Sequence, residues 1–102
     1  MIFRRRFAVV VTAQLDLFER EHAGLVRDCD QAERAYDDAP REHAEERYGD
    51  YLDLVETGTD LLEEMRDSYA ATLDEDAAEE YSTAFNRAVV RRLPRFALEL
   101  DG

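Results

Sequence analysis

The sequence predicts an all-α protein: an antiparallel three-helix bundle with two long helices and a shorter third, completed by dimerisation. Three observations predict it. Only four Gly and two Pro punctuate 102 residues, and Pro40 and Pro94 stand far apart, so long stretches contain nothing that breaks a helix. Apolar residues recur at steps of three and four, the helical period. Hydrophobic residues make up 45% and charged residues 37%, a balance too apolar for a disordered chain and too interspersed with charge for a membrane span. The length is that of one domain, so residues 1–102 read as a single helical bundle with a modest core.

The first helix is expected over residues 3–38. Phe7, Val11, Leu15, Phe18, His22, Leu25, Cys29, Ala32 and Tyr36 form one heptad stripe, which at 1.5 Å per residue extends about 50 Å. The cluster Asp37, Asp38, Ala39, Pro40 reads as a turn, with Asp38 as N-cap and Pro40 in the first turn of the next helix. That second helix, over residues 39–73, carries the stripe Ala44, Tyr48, Tyr51, Val55, Gly58, Leu62, Met65, Tyr69 and Thr72. Gly58 lies on the stripe, where a missing side chain permits close approach of a neighbour at a helix-propensity cost of about 1 kcal/mol. Thr72 and Glu75 have the spacing of a capping box opening a third helix over residues 74–93. It turns Ala78, Tyr81, Phe85, Ala88 and Val89 inward and ends before Pro94, and the tail 94–102 adds one more turn.

At about 30 Å the third helix covers only part of the groove between two helices of about 50 Å. A second copy of the chain is the natural cover. Leu17, Val26, Leu52 and Leu61 lie off the main stripes, and together with Tyr48, Tyr51 and Tyr69 they form the expected interface, because tyrosines on such stripes serve as amphipathic contact residues. The expected partner is therefore a second copy, as a homodimer.

Charge narrows the function classes. Asp and Glu number 25 against 13 basic residues, all Arg, for a formal net charge of -12. Such a chain repels nucleic-acid phosphates and anionic membranes, so neither is expected as a partner. The acidity fits either salt adaptation or a basic protein partner. An up-down-up topology gives the arginines an internal use. It brings Arg4, Arg5 and Arg6 to Asp74, Glu75 and Asp76, and it raises Arg87, Arg91, Arg92 and Arg95 toward Asp28, Asp30 and Glu33. The lone Cys29 cannot form an internal disulfide, which points to the cytoplasm. The basic start and the apolar run from Phe7 to Ala13 imitate a signal peptide but are too short for one.

Few residues suggest chemistry. Glu19 and His22 have the Glu-x-x-His spacing that puts both side chains on one helical face, as in carboxylate-bridged di-iron bundles. One chain supplies a single such pair, so an iron or manganese site needs a dimer and further inward glutamates such as Glu56, Glu63 or Glu64. The alternative is that His22 is a polar stripe residue and Glu19 faces water. His43 with Glu42, Glu45 and Glu46 reads as helix-terminus electrostatics. Ser68 and Ser82 lack a spaced His and acid, and no glycine-rich phosphate loop is present. The expected function is therefore non-enzymatic, carried by self-association and protein contacts without a cofactor. The alternatives are a metal-binding helical dimer and an acidic protein that occupies a basic partner.

Overall fold

The computed structural model describes residues 6–97 and Leu100. Among them the chain is all-helical, with four α-helices rather than three: α1 (Ala8–Glu21), α2 (Ala23–Asp37), α3 (Arg41–Ala70) and α4 (Glu75–Arg92), followed by a 3-10 turn at Pro94–Phe96. The extra element arises because the expected first helix is broken at His22, whose φ of -118° and ψ of 29° are not helical. Gly24 follows two residues on, and its low helix propensity weakens this stretch. The break has a packing consequence: α1 leans on α4 while α2 runs along α3. The expected start of this helix near Phe3 lies outside the described residues.

The caps also differ from expectation. Asp38 is the C-cap of α2, its N–H bonded to the Arg34 carbonyl, and Pro40 is the N-cap residue of α3. Proline fits there because it has no N–H to lose. Thr72 caps no helix N-terminus; its hydroxyl donates back to the Tyr69 carbonyl at 2.7 Å. The N-cap of α4 is Asp74, whose carboxylate accepts the Ala77 N–H at 2.9 Å, and Glu75 and Asp76 follow at the positive end of the helix dipole.

The molecule measures 51 × 24 × 23 Å and its core is unevenly distributed. Phe18, Phe85, Tyr81, Phe96, Leu15, Leu62 and Val89 are fully buried, all in a base formed by α1, α4, the second half of α3 and the 3-10 turn. Phe7 and Val11, from the apolar run near the start, are buried with them. The upper part, a hairpin of α2 and the first half of α3, buries only Cys29 and Val55. This hairpin is an arm beyond the base, because α4 is too short to follow it.

The 3-10 turn locks base to arm. Pro94 ends α4, and the chain then drives the Phe96 ring onto Gly58, so closely that a Cβ at Gly58 would overlap the ring. Phe96 also meets Phe18 edge-on, with centroids 5.9 Å apart, and its carbonyl accepts the Thr59 hydroxyl at 3.1 Å. Gly58 thus admits an aromatic ring rather than a neighbouring helix. Beside it Arg95 donates to Asp30 at 2.8 Å and Glu33 at 2.9 Å on α2, and its guanidinium lies 5.7 Å from the Tyr51 ring centroid on α3. Burial works against the charged guanidinium, but the hydrogen bonds to Asp30 and Tyr51 prevail and raise its pKa above the usual arginine value.

Tyr81 anchors the base. Its ring packs against Tyr69 at 4.7 Å and Phe7 at 5.6 Å, and its hydroxyl donates to Gln14 Oε1 at 2.8 Å. Burial pushes its pKa up to about 12 from 10, so the folded state holds this proton more tightly than the unfolded chain does. The resulting stability is fully present below pH 10 and is lost as pH rises from there through about 12. An alkaline loss on the order of 2 kcal/mol is expected in that window. Tyr81→Phe should remove this pH dependence while costing about 1 kcal/mol at neutral pH. Urea denaturation across the alkaline range checks both; an unchanged alkaline slope in the variant would refute the assignment.

Candidate protein-interaction surfaces

The structure gives Glu19 and His22 different neighbours, on α4 and α3 respectively. Arg92 reaches across from α4 and ion-pairs with both Glu19 and Asp16, the latter at 2.6 Å, and the Asp16 hydrogen bond raises the Arg92 pKa. The His22 ring lies 5.0 Å from that of Phe18. It faces a shallow groove toward α3 lined by Leu61, Met65 and Tyr69. Among the described residues no group of three or more His, Cys, Asp or Glu side chains is placed to hold a metal ion. The Cys29 thiol is buried, and burial raises its pKa, keeping it a protonated apolar packing group.

The arginines divide by height. Arg95 meets Asp30 and Glu33, as an up-down-up chain implies, whereas Arg92 stops lower, at Asp16 and Glu19. Arg6 approaches Glu80 at 3.7 Å; Arg4 and Arg5 lie outside the described residues. Arg87 and Arg91 have no carboxylate partner among the described residues.

Two surfaces remain uncovered. On the arm, Tyr36, Tyr48 and Leu52 are exposed, and the Tyr36 ring packs on Tyr48 with centroids 5.0 Å apart, joining α2 to α3 across the tip. From Ala23 to Thr57 eleven Asp and Glu stand against four Arg, a net charge of -7. Of the other expected interface residues, Leu17 is exposed on α1, whereas Val26, Tyr51, Leu61 and Tyr69 are half-buried. Tyr51 is occupied by Arg95 and Tyr69 by Tyr81.

No family model matches this chain, and neither does any curated protein or solved structure. Function therefore has to be read from the surfaces themselves.

The second surface was not anticipated from sequence. A groove of about 600 Å³ runs between α1 and α4, with Phe7, Val11, Ala84 and Ala88 along its floor. Asp76, Glu79 and Glu80 stand at one end and Arg87 and Arg91 at the other. Glu80 Oε2 is covered and has no hydrogen-bond partner among the described residues. Val9 on α1 and Val90 on α4 are 84% and 59% exposed. These are the most exposed large apolar side chains described. The signal in the sequence was the step of three and four from Asp76 to Arg91, masked because the same arginines also fit an internal role.

No described helix is long and apolar enough to cross a membrane.

Proposed function

We propose that this chain is a non-enzymatic helical protein that self-associates and acts through contacts with other proteins in the cytoplasm. One observation carries this reading: a groove with an apolar floor between α1 and α4 and the exposed Tyr36, Tyr48 and Leu52 on the arm stay uncovered, while the polar residues that might do chemistry make contacts within the fold. Glu19 serves Arg92, His22 packs on Phe18, and Cys29 is buried. The thin core of the arm supports the same reading, since a two-helix extension with so little buried apolar area gains from cover.

Native mass spectrometry on protein purified without chelator tests it. A metal-free dimer is the expected result. A monomer at every concentration would overturn self-association, and a dimer heavier by iron or manganese would favour the metal-binding alternative at Glu19 and His22. The net charge of -7 on the arm favours a second reading for that face alone: it repels its own copy and fits a basic protein partner. A cationic helical peptide titrated onto the protein should bind there, shift the Tyr36 and Tyr48 resonances, and dissociate as salt is raised.

A further inference from the structure

We propose that two copies of this chain pair through the α1/α4 groove, with their α4 helices antiparallel across a two-fold axis. The inference rests on the self-association reading and names the face that performs it. The lining residues of α4 recur at steps of three and four from Asp76 to Arg91, a continuous stripe extending about 22 Å along the helix. Its charges are ordered: acids at the start, small residues in the middle, arginines at the end.

Such a stripe is complementary to itself when reversed. In a two-fold contact the same patch serves both partners, and an axis passing between Thr83 and Ala84 sets Asp76 opposite Arg91 of the partner subunit. The same axis sets Glu80 opposite Arg87 of the partner subunit. A parallel arrangement would instead place like charges together, at a cost in free energy. The antiparallel one also aligns the helix dipoles favourably. Thr83, Ala84 and Ala88 are small enough to let two helices approach closely.

The groups involved have interactions still to make. Arg87 and Arg91 are exposed and lack a carboxylate partner among the described residues. Glu80, which Arg6 approaches at 3.7 Å through Oε1, has its covered Oε2 without a hydrogen bond among the described residues, which native structures seldom leave unanswered. The arm cannot serve two identical copies in this way, because eleven acids against four arginines oppose like with like. Reversed α4 helices point the two arms in opposite directions, which leaves both free.

A charge-swap experiment on the full chain decides the matter. Arg87→Glu with Arg91→Glu makes the charges of the stripe wholly acidic, and Asp76→Arg with Glu80→Arg makes them basic apart from Glu79. Each variant alone should dimerise at least about tenfold more weakly than the parent, as read by light scattering, with helix content unchanged by circular dichroism. Mixed in equal amounts, the two should form a one-to-one heterodimer. Parent-like dimers from both variants would overturn the proposed face. So would a dimer dispersed by Tyr48→Glu with Leu52→Glu instead, although self-association itself would then stand. A monomeric parent would sink the underlying reading as well.

If a charge variant fails to fold, paired spin labels give an independent answer. In a Cys29→Ser background, labels at Thr83→Cys should lie near the axis and closer together than labels at Tyr48→Cys. The reverse order would overturn the antiparallel pairing.

Discussion

Gly58→Ala is expected to destabilise the fold by about 2–3 kcal/mol, the upper range for overpacking a filled core. Alanine is the better helix former, so at a solvent-exposed site the same change would gain about 1 kcal/mol. Gly58 is not such a site. A Cβ there would overlap the Phe96 ring, which is itself buried against Phe18 and tied to Thr59 through its carbonyl. The ring cannot step aside without displacing the 3-10 turn and loosening Arg95 from Asp30 and Glu33. Phe96→Ala alone should cost about 3–5 kcal/mol through the lost burial and the cavity left behind. In that background the effect of Gly58→Ala should change sign and become stabilising by roughly 1 kcal/mol. A double-mutant cycle by urea denaturation measures this directly; additive free energies would mean that ring and glycine do not compete for the same space.

Phe18→Ala is the second large effect, expected at about 3–5 kcal/mol. Phe18 is fully buried, and it touches the 3-10 turn through Phe96 and the helix break through His22. Leu52→Ala on the arm should change monomer stability by no more than about 0.5 kcal/mol, as surface substitutions generally do. The contrast tests whether stability resides in the base. Hydrogen exchange gives the same comparison without mutation: amides of α2 should exchange through partial openings of lower free energy than those at the centre of α4. Equal protection in the two regions would contradict an arm held by so thin a core.

The helical class of the fold was legible because period and punctuation agree over long stretches, and the ends near Asp37, Ala70 and Arg92 fall close to Pro or to a polar turn. The break at His22 was not legible. The apolar stripe passes through His22, Leu25 and Cys29 in unbroken phase, so local pattern favours one helix. What divides it is tertiary: α1 and α2 have different partners, and no spacing within the first forty residues records that. Asp38 as a cap failed for a similar reason, since Pro40 begins α3 without a side-chain cap.

Glu19 and His22 show the limit for sites. Their spacing suggests a shared face, yet the fate of Glu19 is decided by Arg92, distant in sequence and brought close only by the fold. The groove between α1 and α4 was hidden because it belongs to neither helix alone. Four of the seven expected interface residues, Val26, Tyr51, Leu61 and Tyr69, are partly covered by the chain itself, because a residue on or beside a stripe serves an internal neighbour as readily as a partner.

The seating of Phe96 on Gly58 has a kinetic meaning. Thr59 and Phe96 are 37 positions apart, so this contact closes a long loop, whereas the α2–α3 hairpin is joined by a short turn and its contacts nearest that turn form at little entropic cost. The hairpin is expected to assemble first and the ring to arrive after the rate-limiting barrier. An interaction absent from the transition state leaves folding speed almost untouched and slows escape from the native state. The aromatic plug then works as a latch on the lifetime of the fold, and Phe96→Ala should show in stopped-flow traces mainly as faster unfolding.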